Sequence, residues 1–280
     1  MKKRAINEKT ILGFGTYLTE NEKSTATKEK YLRDVRRFAK RIGKQRLDRK
    51  AVLEYKESLL ESYAVSSANS IIASLNAFWH YTGRTELCVK PFRIQKQVYT
   101  ASDKELTKDN YFSLIQAAEK KRNTRLSLVV QTICSTGIRI SELRHVTVEG
   151  VKRGECTVSC KGKTRIIFIT PRLAQKLLAY AKKRNTVSGP VFVTRAGKPL
   201  DRSNVWREMK ALCKEAGVCE HRVFPHNLRH LFARTFYAID KDIAKLADIL
   251  GHSSINTTRI YVMTTCSEHR RKMENLRLLI

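Results

Sequence analysis

Hydrophobic residues recur at helical spacing through much of the first 82 residues. In the segment 24–43 they return every three or four positions, which predicts an amphipathic helix. The apolar positions of this helix are Tyr31, Val35, Phe38 and Ile42. Two further helices are predicted near 48–62 and 66–82, so this part of the chain is expected to form a small helical domain.

The periodicity stops near residue 83, and the stretch up to Asp103 contains Pro91 but no clear apolar face, which is typical of a linker. Predicted helices then lie near 107–121, 124–136, 171–185, 202–216, 227–238, 241–250, 255–263 and 266–279. Alternating apolar residues on both sides of the turn at 161–164 predict a β-hairpin. The expected fold class is therefore mainly α with a small antiparallel β-sheet. We expect an N-terminal helical domain over 1–98, with a linker from about 83, and a second domain over 104–280.

The charge of the chain favours a nucleic-acid partner. It carries 55 Lys and Arg residues against 26 Asp and Glu, a formal net charge of +29, and binding a polyanion relieves such self-repulsion. A basic ribosome-associated or membrane-surface protein would have a similar composition. Composition alone therefore does not distinguish these classes of protein, and sequence motifs are needed. The sequence contains no long apolar run and no cleavable leader, and we therefore expect a cytoplasmic protein with no membrane partner.

A stripe of basic residues lies beside the apolar face of the helix predicted over 24–43. Its members are Lys30, Arg33, Arg37, Arg41 and Lys44. Acidic residues are scarce near it, because only Glu29, Asp34 and Asp48 occur from 28 to 50. We expect this stripe to contact DNA phosphates, and a merely solvated helix surface is the alternative.

The cysteines and the motif content predict no metal and no cofactor. Seven cysteines are scattered and include no Cys-x-x-Cys pair, which indicates reduced thiols, mostly in the core. A zinc site formed by Cys213, Cys219, His221 and His226 is conceivable, but the spacing between the two cysteines does not fit a zinc knuckle. No nucleotide-binding motif occurs in the sequence.

Four short stretches carry residues suited to chemistry, and each is weak evidence by itself. They are TGIRISEL at 136–143, CKGKTR at 160–165, HNLRH at 226–230 and LGHSSINTTRIY at 250–261. In order and spacing they resemble the catalytic blocks of tyrosine recombinases, the family that includes Xer proteins and transposon or phage integrases. The resemblance covers 105–262, and its last two blocks are highly specific.

The resemblance implies a fold, an activity and partners. The fold would be a SAM-like core-binding domain followed by a catalytic domain with a C-terminal tail, 262–280. Such tails dock into a neighbouring protomer in this family, and packing of the tail on its own catalytic domain is the alternative. The activity would be site-specific recombination through a 3′-phosphotyrosine and a Holliday junction, serving integration, excision, inversion or resolution. The partners would be double-stranded DNA with paired recombination sites and further copies of this chain, which form a homotetramer on that DNA. An accessory DNA-bending or directionality protein would be an additional candidate partner. The protein would be associated with the nucleoid.

The resemblance also implies roles for individual residues, and the chemistry agrees with them. Arg139 and Arg229 would bind the non-bridging phosphate oxygens, because a guanidinium stays charged and offers two parallel donors. His226 would contact the phosphate or accept the proton of the attacking phenol, and His252 would donate to the phosphate. Tyr261 would be the covalent nucleophile.

Two further roles follow from the same blocks. Lys161 would be the general acid for the departing 5′ oxygen, but the turn is shorter than is usual in the family, so Lys163 remains an alternative. Glu142, one turn from Arg139, would orient an arginine, with an ordinary surface carboxylate as the alternative.

Two rival functions remain open at this point. A type IB topoisomerase-like nicking-closing enzyme uses similar chemistry, although the small size and the closeness to the integrase blocks argue against it. A non-catalytic DNA-binding relative is disfavoured because every expected catalytic residue, including Tyr261 and Lys161, is present.

The choice between the two lysines is testable. We expect Lys161→Ala to cleave normal DNA slowly but to cleave a substrate with a bridging 5′-phosphorothiolate at nearly the wild-type rate, because sulfur leaves without protonation. Single-turnover cleavage of both substrates is the measurement, and Lys163→Ala is the matched variant. Rescue of Lys163→Ala alone would contradict the assignment of Lys161.

Overall fold

The computed structural model describes residues 6–43, 45–94, 105–160, 163–194, 196–262 and 274–275. The chain divides into two compact units, residues 1–96 and 97–280. In the described ranges the elements are helices and one two-stranded antiparallel sheet, which confirms the predicted fold class. None of the helices in these ranges is long and apolar enough to cross a membrane.

Four α-helices form most of the described part of the first unit. They are α1 (Glu8–Glu20), α2 (Thr25–Ile42), α3 (Arg49–Ser62) and α4 (Val65–Tyr81), with a 3-10 turn at Thr85–Leu87. The first three helices start after a polar residue whose side chain accepts a backbone N–H of the first turn. These capping residues are Asn7, Ser24 and Asp48.

Helix α1 is absent from the helices predicted by the sequence pattern. Its buried residues Ile11, Phe14 and Leu18 have helical spacing, but Gly13 and Gly15 lie between them, and glycine weakens a helix. Packing overrides this local preference, because the helix buries its apolar side against the rest of the unit.

Aromatic rings form the centre of the first unit. Phe38 packs edge-on against Trp79 with ring centroids 5.6 Å apart, and Phe14 packs edge-on against Phe78 at 5.2 Å. These four rings are fully buried and join α1, α2 and α4. The arrangement uses the edge-to-face geometry that aromatic quadrupoles prefer.

The described part of the second unit contains nine more α-helices and the sheet. The elements are α5 (Lys108–Lys120), α6 (Thr124–Thr136), α7 (Val148–Arg153), β1 (Glu155–Cys160), β2 (Lys163–Phe168), α8 (Pro171–Lys183), α9 (Arg202–Lys210), α10 (Cys213–Ala216), α11 (Pro225–Ile239), α12 (Ile243–Leu250) and α13 (Ile255–Tyr261). Two 3-10 turns lie at Ile140–His145 and Glu220–Arg222. The single helix predicted at 202–216 is wrong in detail, since α9 and α10 are separate.

The two strands form the predicted hairpin. Glu155 pairs with Phe168 at one end, and Cys160 pairs with Lys163 at the other. Alternate positions of both strands are buried, which agrees with the period of two in the sequence.

Two glycine turns shape the surroundings of the functional motifs. Gly137 ends α6 with a φ of +65°, and a Cβ there would collide with the ring of Phe232. Gly251 ends α12 with a φ of +64°, and a Cβ there would lie 2.5 Å from Cδ of Arg165. Only glycine suits both the left-handed backbone and the close approach, so these turns hold Arg139 and His252 next to the other motifs.

Candidate active site

Helix α11 sets the spacing of the central side chains. It starts with Pro225, whose fixed φ suits the first turn of a helix. His226, Arg229 and His230 follow at i, i+3 and i+4, so they lie on one face. Arg229 is fully buried, whereas His226 keeps an exposed edge.

Arg229 connects three parts of the second unit. Its guanidinium donates to the carbonyl of Gly137 at 2.5 Å and to the carbonyl of Leu250 at 2.6 Å. Nη2 also lies 2.9 Å from Nε2 of His252, while Nε has no hydrogen-bond partner among the described residues. Burial, aided by the charge of Arg139, lowers the pKa of Arg229 to about 10, so it remains charged at neutral pH.

Tyr261 lies at the end of α13 in a cluster of imidazole rings. Its side chain is buried, and its hydroxyl oxygen is 3.1 Å from Nε2 of His226. His230 stacks on the phenol ring with centroids 4.0 Å apart and an interplanar angle of 11°. The ring of His252 lies 5.0 Å from it, and the guanidinium of Arg229 lies 5.9 Å from its centroid. The phenol is therefore fixed in position before any substrate binds.

The three histidines around Tyr261 are held neutral. Burial lowers the pKa of His226, and the charges of Arg229 and Arg139 lower it further. Burial and the neighbouring charges lower the pKa of His230 to about 3 and that of His252 to about 4.

The tautomer of His252 follows from its partners. Nε2 faces a donor on Arg229 and must accept, so Nδ1 carries the proton and donates to the hydroxyl of Thr258 at 2.8 Å. In this arrangement His252 holds Arg229 and does not offer a donor to a phosphate.

A carboxylate bridges two further arginines. Glu142 is 3% exposed, and its Oε2 accepts from the backbone N–H of Arg139 at 2.7 Å and from Nη2 of Arg165 at 2.6 Å. Its Oε1 accepts from Nη1 of Arg139 at 2.9 Å. Burial alone would raise the pKa of Glu142, but these hydrogen bonds and charges lower it below its usual range. Glu142 is thus a buried ion-paired group and not an ordinary surface carboxylate.

A basic cavity of about 830 Å³ opens beside these groups. Arg139, His226 and Arg229 line one side of it. The other side includes residues of α9, namely Arg202, Ser203, Trp206 and Arg207. The cavity suits an anionic ligand, because guanidinium groups dominate its charged lining.

The structure brings together most of the side chains singled out by the sequence motifs. They are Arg139, Glu142, His226, Arg229, His252 and Tyr261. Lys161 and the side chain of Lys163 lie outside the described residues. Arg165 and His230 are inside the quoted motifs, but the motifs assign no role to either residue. The α9 residues had no motif signal at all.

The basic stripe of α2 is only partly exposed. Lys30 turns inward, where its ammonium contacts the buried carboxylate of Asp34 at 2.6 Å and the hydroxyl of Ser74 at 3.0 Å. Arg37 donates to the hydroxyl of Tyr63 at 2.5 Å. Arg33, Arg37 and Arg41 are exposed, and Lys44 lies outside the described residues.

Comparison with known proteins identifies the class. Residues 104–268 match the model of the phage integrase family. The tyrosine recombinase XerA of Pyrococcus furiosus is 28% identical over 100% of this chain and 98% of its own length. A crystal structure of XerA recombinase aligns with a TM-score of 0.54 at 25% identity, covering 97% of this chain and 99% of that one. A lambda integrase tetramer bound to a Holliday junction aligns at 0.69 with 18% identity, covering 92% and 78%.

The fold and the family match define a tyrosine recombinase, an enzyme that cleaves and rejoins DNA strands. This chain belongs to the phage integrase family. The family predicted from the four motifs is confirmed.

The neutral histidines generate a pH prediction. Because the pKa of His230 is lowered to about 3 and that of His252 to about 4, their charged forms should appear only well below the ordinary histidine pKa. In DNA-free protein we expect their imidazole resonances not to titrate between about pH 8 and about pH 5.5, whereas the denatured protein should titrate near about 6.5. NMR titration, assigned with His230→Asn and His252→Asn, is the measurement. Titration of either ring near 6.5 in the folded protein would contradict this electrostatic picture.

Proposed function

We propose that this chain is a site-specific DNA recombinase in which Tyr261 attacks the scissile phosphate to form a 3′-phosphotyrosine. The single observation that carries the proposal is the hydrogen bond between the hydroxyl of Tyr261 and Nε2 of His226, 3.1 Å long, beside a cavity lined by Arg139 and Arg229. A nucleophile, a base and two cations are thus within one small region.

The arginines would stabilise the charge that develops during attack. A phosphodiester passes through a pentacoordinate transition state with more negative charge on its non-bridging oxygens. Arg139 is 39% exposed and faces the cavity, and the buried N–H at Nε of Arg229 lacks a partner among the described residues. A phosphate oxygen in the cavity would share the charge of both guanidinium groups.

His226 would accept the proton of the phenol. Its lowered pKa leaves it neutral at neutral pH, so the lone pair of Nε2 is available to the hydroxyl of Tyr261. The phenolic oxygen then forms the bond to phosphorus, while the 5′ oxygen departs and takes a proton, for which we propose Lys161. Religation is the reverse sequence, with the 5′-hydroxyl attacking and the tyrosine leaving.

His252 would change its role when DNA binds. A phosphate beside it would favour its charged form, because an anion raises the pKa of a nearby imidazole. With Nε2 protonated, His252 would donate to the phosphate and release Arg229 to do the same. The DNA-free arrangement therefore supports a resting state in which the two groups satisfy each other.

DNA with paired recombination sites is the proposed substrate, bound by a homotetramer that exchanges strands through a Holliday junction. The proposed domains are a core-binding domain over 1–98 and a catalytic domain over 104–280, acting on nucleoid DNA. The lambda integrase tetramer on a Holliday junction supports this assembly by its fold. Integration or excision of a mobile element, inversion and resolution all use this chemistry.

The decisive experiment traps the covalent intermediate. On a suicide substrate nicked so that the 5′ fragment diffuses away, the native chain should form a covalent protein–DNA complex, and Tyr261→Phe should form none. The affinity for DNA should stay nearly unchanged, because the substitution removes one hydroxyl and no charge. Denaturing gels and a binding titration measure the two quantities.

The outcomes separate the rival functions. Appreciable cleavage by Tyr261→Phe would overturn the assignment of the nucleophile. Lack of covalent trapping by the native chain on its own recombination site would indicate a DNA-binding relative. Trapping without any Holliday junction from two intact sites would indicate a nicking-closing enzyme.

The exposed arginines of α2 generate a second prediction. Replacing Arg33, Arg37 and Arg41 together by Gln should reduce the slope of log affinity against log salt by about 0.9 for each phosphate that the variant no longer neutralises. The matched control is Arg36→Gln with Glu8→Gln, which removes an ion pair of 2.6 Å between α2 and α1 without changing the net charge. DNA affinities measured over a range of salt concentrations give the slopes. An unchanged slope in the triple variant would leave these arginines as solvated surface.

A further inference from the structure

Arg165 lies on β2, in the strand that follows the hairpin turn. Its side chain is 12% exposed and faces the interior with Val158, its partner on β1. Nη2 donates to Oε2 of Glu142 at 2.6 Å, and Nη1 donates to the backbone carbonyl of Ile249. One planar guanidinium therefore connects three segments that are distant in sequence.

Glu142 connects Arg165 to Arg139. Glu142 is nearly inaccessible to solvent, and both its oxygens are used, since Oε2 also accepts the backbone N–H of Arg139 and Oε1 accepts its guanidinium. The carboxylate is thus fixed from two sides. Its single negative charge is shared between two arginines, so Arg139 keeps positive charge for a ligand in the cavity.

The carbonyl of Ile249 connects Arg165 to the turn before His252. Ile249 is in the last turn of α12, where carbonyl groups lack helical partners, and a guanidinium is a suitable donor for them. Gly251 packs so closely on Arg165 that a Cβ would collide with it. The position of this turn therefore depends on the same side chain.

We propose that Arg165 is a positioning residue for DNA cleavage, which orients Arg139 through Glu142 and anchors the turn that carries His252. This inference rests on the proposed function. Arg165 itself does not line the cavity, so it acts through its neighbours and not by touching the phosphate.

The geometry makes a lysine a poor substitute. A single ammonium is a compact donor, whereas the two nitrogens of the guanidinium reach Glu142 and Ile249 at once. Without Arg165, Glu142 would pair with Arg139 alone and would neutralise it. The expected loss is therefore in the rate of cleavage and not in the binding of DNA.

The experiment compares single-turnover cleavage and DNA affinity for Arg165→Lys and Arg165→Gln. We expect both variants to cleave about 10- to 100-fold more slowly, the scale for a small misplacement of a catalytic group, while DNA affinity changes by less than about threefold. The matched control is Arg36→Gln, which removes an arginine bound to Glu8 by an ion pair of the same length, 2.6 Å, in the first unit. It should cleave at nearly the native rate. Thermal melting confirms that each variant is folded.

A double-variant cycle tests the route of action. If Arg165 works through Arg139, then Arg165→Lys should have little further effect on cleavage in an Arg139→Ala background. A full, multiplicative loss both in that background and in a His252→Ala background would overturn the proposal, as would native-rate cleavage by both Arg165 variants. Loss of DNA affinity equal to the loss of rate would also overturn it.

Failure of the proposed function would look different. In that case the native chain would form no covalent complex with DNA, and there would be no cleavage rate by which to compare the variants. With covalent trapping by the native chain established, the cycle reports on Arg165 alone.

Discussion

The buried charge of Arg229 is the constraint on which the rest of the site depends. A guanidinium removed from water must find acceptors, and it finds the carbonyls of Gly137 and Leu250 at the ends of two helices. These contacts bring the turns that carry Arg139 and His252 against α11. Because no carboxylate contacts Arg229 among the described residues, its charge is only partly compensated, and the site favours an anion.

The charge of this site also determines the protonation of its histidines. Arginines surround a cluster of rings that is partly removed from water, and both effects disfavour a second positive charge on imidazole. Neutral His226 can then accept a hydrogen bond from the hydroxyl of Tyr261, and neutral His252 accepts one from Arg229. In the proposed function a phosphate beside His252 would favour its charged form, so DNA binding would change the hydrogen bonding between His252 and Arg229.

Buried charges are compensated in two ways in this chain. In the first unit the carboxylate of Asp34 contacts Lys30 and Ser74. Lys30, which belongs to the predicted DNA-binding stripe, therefore pairs with a buried carboxylate of its own unit. In the second unit Glu142 is enclosed by Arg139 and Arg165, which leaves an excess of positive charge. The first arrangement compensates a buried carboxylate within the fold, whereas the second leaves positive charge beside the cavity.

Local pattern was sufficient for most of the described helices, the hairpin and the four motifs, because amphipathic spacing and turn chemistry act over a few residues. The helix predicted over 266–279 lies almost entirely outside the described residues. Local pattern failed for α1, where glycines hide a helix that tertiary packing stabilises, for the short helix α7, which was not predicted, and at 202–216, where the chain forms two helices. The motifs also named Arg139, Glu142, His226, Arg229, His252 and Tyr261. Only the tertiary structure decided that His230 stacks on Tyr261, that Arg165 joins Glu142 to the end of α12, and that α9 lines the cavity. Those contacts join residues far apart in sequence, and their distances and shared charges exist only once the chain has folded.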